Sequence, residues 1–179
     1  SLGLVGSEMC IRDRCIEEAK FPEAYQTVNT PCLQKNGEGS YPLEHRLLSV
    51  FSAVYRVESG AFFRVMQPWL LDNAHRDCCG GIAKREPIEA AWDAVAQLES
   101  AALSGEPTAM LSVDYYKFFD SFEPTFTRDL LKHVGFPPQL ADAWHHLQTN
   151  TRRRIKFGDT FGKQFTVTSG VGQGDPMSL

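Results

Sequence analysis

The clearest periodic pattern of apolar and polar residues begins near Glu44. Leu47, Leu48, Phe51, Val54 and Tyr55 recur at i, i+1, i+4, i+7 and i+8, one apolar stripe along a helix. A second apolar stretch, Ala61 to Leu71, contains Pro68, whose missing N–H and bulky ring predict a break or kink. Pro87 opens a cleaner amphipathic helix, with Ile88, Ala91, Trp92, Val95 and Leu98 on one face and Gly105 closing it. Ala109 to Val113 is a short apolar run and reads as a buried strand. Helices follow from Pro124 to His133, stopped by Gly135 and Pro137-Pro138, and from Leu140 to Leu147. Arg152 to Phe157, a Gly-rich turn at 158–162 and Lys163 to Thr168 form a basic hairpin. Upstream, residues 15–43 read as loop-rich or disordered, with turn formers concentrated in 30–43.

Helices flanking a few strands define an α/β (α+β) class, helices packed on a small sheet. A chain of 179 residues can bury one real core, placed here in residues 44–179. Residues 1–14 carry no sustained period and resemble the translated remnant of a sequencing adaptor, so they are set outside the fold as a non-native leader.

Charge changes the picture only when it is divided. The net value is −4, yet residues 1–127 hold 11 Lys/Arg against 18 Asp/Glu, while residues 128–163 hold 7 against 3. A local stripe of +4 on an acidic chain can follow a phosphate backbone, because the field close to the strand decides. Arg152, Arg153, Arg154 and Lys156 are the candidate nucleic-acid contacts; the plain alternative is a solvated face. The cysteines Cys10, Cys15, Cys32, Cys78 and Cys79 are odd in number and lack framework spacing, which fits reduced thiols. No apolar run approaches the roughly 20 residues that span a bilayer. With no signal peptide recognised, an intracellular site, cytoplasmic or nuclear, is expected.

Two segments carry chemistry. Asp114-Tyr115-Tyr116-Lys117-Phe118-Phe119-Asp120 sets an acid at the end of the apolar run, where a rigid ligand for a hard cation belongs. Alone, Asp114 reads rather as a solvated acid capping the strand-to-helix turn, since acids at strand ends are common. Gly170-Val171-Gly172-Gln173-Gly174-Asp175-Pro176-Met177-Ser178 is a Gly-rich turn with an amide that both donates and accepts. Together they resemble, in order and spacing, the A and B motifs of reverse transcriptases of the non-long-terminal-repeat and group II intron type. Those motifs read Asp-X-X-Lys-(Ala/Cys)-Phe-Asp and Gly-X-X-Gln-Gly-X-Pro-(Leu/Met)-Ser, and only Phe118 departs from them. Arg46 to Arg56 resembles the family's fingers segment, with Leu47 where Pro is usual.

The resemblance implies a right-hand polymerase fold, with fingers over about 44–108 and an incomplete palm over about 109–179. It implies two Mg2+ ions with Asp114 as a catalytic ligand, and Tyr115 offering a backbone carbonyl to a metal. Arg46 would reach the triphosphate, Phe119 would crowd a ribose 2′-hydroxyl, and Gln173 would lie at the incoming nucleotide. The implied partners are an RNA template, a DNA primer and deoxynucleoside triphosphates. The family's third motif, a Tyr/Phe-X-Asp-Asp hairpin, is not found in the sequence, so the chain reads as a fragment that is inert alone. Alternatives are an RNA-directed RNA polymerase and a non-catalytic nucleic-acid-binding remnant.

Overall fold

The computed structural model describes residues 13–35, 41 and 44–177. Most of the adaptor-like leader, residues 1–12, lies outside the described residues, as do parts of the loop at 36–43. The chain divides into two compact units, residues 1–60 with 117–178 and residues 61–116.

The first unit is built on a small mixed sheet. Strand β1 (Thr27–Gln34) pairs antiparallel with β2 (His45–Leu47) and parallel with β3 (Arg152–Phe157). On its other edge β3 takes β4 (Thr160–Phe161) and β5 (Phe165–Thr166), both antiparallel. The expected basic hairpin is present in altered form: it turns at Gly158, with φ +58°, residues 160–161 of the expected turn are β4, and only 165–166 of the expected return strand pair. Gly162 N–H donates to the Ile155 carbonyl at 2.9 Å, between the two short pairings.

Residues 27–34 fall in the stretch expected to be loop, and they form a strand instead. Pro31 argues against a strand flanked on both sides. It is tolerated because its missing N–H falls between the Asn29–Val50 bridge and the β1–β2 ladder, which starts at Cys32 opposite Leu47. The helix expected from Glu44 is also corrected, since residues 45–47 are β2 and helix α1 (Ala53–Asn73) starts later. Ser52 marks the true start: its hydroxyl accepts from Tyr55 N–H at 3.2 Å and its carbonyl from Arg56 N–H.

Of the break or kink expected at Pro68, the break is absent, since helix α1 runs on through it to Asn73. Its last carbonyls are taken by side chains, Trp69 by Asn73 Nδ2 and Leu71 by an Arg85 guanidinium nitrogen, which steadies the turn beyond the proline. In the second unit α2 (Pro87–Ser104) matches its sequence limits, with Pro87 in the first turn and Gly105 at φ +71° ending it. Its apolar stripe is not covered within that unit: Ile88, Trp92 and Val95 are exposed.

The buried strand expected at 109–113 is not formed, and Met110, Leu111 and Val113 are exposed. A strand needs a neighbouring edge for its backbone, and among the described residues none pairs with this segment. Back in the first unit come a short helix α3 (Phe118–Ser121), α4 (Pro124–His133) and α5 (Pro138–Asn150). Glu123 caps α4, accepting Thr125 and Phe126 N–H groups, and those bonds lower its pKa.

The core of this unit joins Phe21, Tyr25, Phe51 and Tyr55, whose rings sit 5.1–6.2 Å apart. The α5 stripe of Leu140, Ala141, Ala143, Trp144 and Leu147 is buried too. Burying these rings removes apolar area from water and so stabilises the unit. Among the described residues no helix is long and apolar enough to cross a membrane.

Candidate functional site

The first unit brings residues 119–122, which follow the Asp114 end of the first segment, against the start of the Gly-rich turn. Gly170 N–H donates to the Phe122 carbonyl at 2.7 Å, and Val171 N–H to the Phe119 carbonyl at 2.8 Å. Gly170 makes this approach possible: at φ +87°, a Cβ there would stand 3.0 Å from the Asp120 Cα. The helix α3 on this contact starts from Lys117 in the left-handed region, φ 49°, an uncommon state for a residue with a Cβ. Phe119 is half-buried, with its ring edge-on to Phe118 at 5.7 Å.

Gln173 sits at the first corner of a tight turn closed by Asp175 N–H on the Gly172 carbonyl at 2.9 Å. Gly174 supplies the positive φ, +108°, that the second corner of a type II turn requires. The Gln173 carbonyl accepts Ser49 N–H at 2.7 Å, and a Cβ on Gly172 would meet the Phe51 ring at 2.8 Å. Gly172 and Gly174 thus admit the chain's own residues 49 and 51. Beneath the turn, Asp175 is buried and accepts from Tyr55 Oη at 2.9 Å, Gln148 Nε2 at 2.7 Å and Met177 N–H at 3.0 Å. Burial is the leading influence on its pKa and raises it to about 6 despite those three donors; burial and the carboxylate raise that of Tyr55.

The basic run is divided between the two faces of its strand. Along β3 successive side chains alternate in direction. Arg152 meets Glu23 at 2.8 Å, Arg154 donates to Asn29 Oδ1 at 2.8 Å and stacks 4.3 Å over the Phe161 ring, and Lys156 lies over the same ring. Arg153, the fourth expected contact, is the most enclosed of these side chains. It is half-buried, its pKa lowered by burial and raised by the charge of Asp120. Arg46 is exposed on β2, opposite Leu33.

Asp114 and Tyr115 lie in the second unit, both exposed. Among the described residues no three His, Cys, Asp or Glu side chains converge where a metal ion could sit. Two hard cations ~3.5–4 Å apart need more carboxylate oxygen than one aspartate gives. The described residues therefore do not assemble a two-magnesium centre.

Sequence reasoning missed Gln148 altogether, and it placed Ser49, Tyr55 and Asp175 inside motif segments without assigning them a role at the turn. A signal was present for Gln148: continuing the stripe one residue past Leu147 puts a polar side chain in the core, where it must find partners. Compared with known proteins, the chain matches no family model and no curated protein.

Proposed function

We propose that the chain is part of a reverse transcriptase, an RNA-templated DNA polymerase of the retroelement type. One observation supports this reading beyond motif order: the segment after Asp114 and the Gly-rich turn, about fifty residues apart in sequence, are bonded to each other through Phe119, Phe122, Gly170 and Val171. A polymerase needs that pairing, because the sugar of an incoming nucleotide and its base must be read together. In this reading Asp114 supplies one carboxylate to a divalent cation, with the Tyr115 carbonyl beside it. Phe119 borders the sugar, Gln173 meets the nucleotide, Arg46 reaches the triphosphate, and Arg152, Arg154 and Lys156 follow backbone phosphates. These are roles of binding and positioning; the described residues carry one matching carboxylate, which by itself cannot clamp a metal pair.

The test is primer extension by protein expressed from its whole reading frame, with a primed RNA template, magnesium and either nucleotide set. Extension with deoxynucleotides is expected. Extension with ribonucleotides alone would identify an RNA polymerase, and duplex binding without extension a non-catalytic module. The 179-residue chain by itself should not extend a primer, since it matches the metal-binding carboxylate set only at Asp114.

A further inference from the structure

The side chain of Gln148 touches both ends of the turn that carries Gln173. Its Oε1 accepts Gly172 N–H at 3.4 Å, and its Nε2 donates to Asp175 Oδ2 at 2.7 Å. Residues 172 and 175 are also the two ends closed by the turn's own backbone bond. Gln148 is 3 % exposed and reaches the turn from the buried face of α5, so the amide is shielded from bulk solvent. Its orientation is dictated from both sides, since the Gly172 N–H can only donate and the Asp175 carboxylate, once ionised, can only accept. Asp175 in turn is fixed on its other oxygen by Tyr55 and Met177.

We propose that Gln148 is a positioning residue, a clasp whose amide holds residues 172 and 175 together and so sets the Gln173 backbone against Ser49. The link to nucleotide selection rests on the polymerase reading; the clasp itself does not. Side chains from three separate stretches, Tyr55, Gln148 and Asp175, converge on one tight turn, more than a surface turn needs to close.

The chemistry specifies its own test. Gln148→Glu sets a carboxylate against that of Asp175, and Asp175→Asn sets an amide N–H against that of Gln148. The swap Gln148→Glu with Asp175→Asn restores every bond with one donor reversed. The introduced carboxylate would accept from Gly172 and from the introduced amide, whose oxygen accepts from Tyr55 and Met177, at unchanged net charge. Hydrogen exchange of the 179-residue chain reads the result directly, because Ser49 N–H is bonded to the Gln173 carbonyl.

In each single variant the Ser49 and Gly172 amides should exchange faster by about tenfold, the worth of roughly one hydrogen bond. The β1–β3 amides should be unchanged, and the swap should return the turn to the wild-type rate. Unchanged exchange at Ser49, an equal rise at all amides, or a swap no better than the singles would overturn the clasp. In the whole-frame protein the singles should raise the deoxynucleotide KM more than they lower kcat, and should add nothing to Gln173→Ala. Losses that add to Gln173→Ala would overturn action through Gln173. A wild-type protein that neither binds nor uses nucleotides would overturn the polymerase reading, with exchange still deciding the clasp.

Discussion

At the scale of single residues, Asp175 makes the sharpest demand. Its folded-state pKa, about 6, lies above the ordinary carboxylate value, with burial the leading cause. The native chain then holds this proton more tightly than the unfolded chain. The group's stabilisation is fully present below the unfolded pKa and is lost as pH rises through about 6. A rise of about two pH units at ~1.36 kcal/mol each gives an effect on the order of 3 kcal/mol. Denaturant stability should therefore fall from acid toward neutral pH in the wild type, and the slope should flatten in Asp175→Asn. Parallel pH profiles for the two proteins would contradict the assignment.

Gly174 carries a second expectation. A side chain at φ +108° is strained, and its Cβ would stand 3.1 Å from the Ser49 carbonyl oxygen. Gly174→Ala should cost about 1–3 kcal/mol in equilibrium unfolding. Phe119 allows a functional test, because its ring is only half-buried. Phe119→Val should raise the efficiency for ribonucleotides relative to deoxynucleotides in the whole-frame protein. An unchanged ratio with a large drop in melting temperature would make it a packing residue.

At the scale of elements, those set by local signals were legible in the sequence and those set by pairing were not. Helices α4 and α5 and the basic hairpin follow from apolar period and from Gly and Pro stops, all local signals. Strand β1 was hidden because its parallel partner β3 lies more than a hundred residues away and Pro31 argues against it. The run Ala109–Val113 looked like a strand because apolarity was all that the sequence offered; it has no paired edge among the described residues. The candidate site divides the same way. Gln173 and Phe119 were found from motif residues, whereas Gln148 came from a helix that carries no motif.

Strand β3 turns this into an experiment on charge. Arg154 and Lys156 share one face with Phe161, while Arg153 is directed elsewhere and lies half-buried near Asp120. Arg154→Ala and Lys156→Ala should each lower the salt dependence of RNA–DNA duplex binding by about one unit of slope, with little loss of stability. Arg153→Ala should lower stability and leave the slope alone. A slope change at Arg153 equal to its neighbours' would restore it to the phosphate-binding set.

At the scale of the whole molecule, the first unit is packed around one aromatic core, while the second exposes much of its apolar surface. The thiols report that difference. Burial first, and then the charges of Glu58 and Glu18, push Cys15 up to about 11, whereas Cys78 is exposed. The thiolate is the reactive form, so alkylation near pH ~8 should label Cys78 quickly and Cys15 only on unfolding. Peptide mapping that finds native Cys15 labelled first would show the core to be open.

The proposed activity requires the Asp114 carboxylate, which is exposed. Asp114→Asn keeps the side chain's shape and removes its charge, so the fold should survive while a cation loses a ligand. The measurement is primer extension on an RNA template by whole-frame wild type and Asp114→Asn protein, matched by melting temperature and duplex affinity. Extension by the wild type and its loss by at least about a hundredfold in the variant, roughly the cost of one transition-state contact, is the expected result. Near-equal extension by the two folded proteins would contradict Asp114 as a catalytic ligand, and with it the polymerase reading built on that residue.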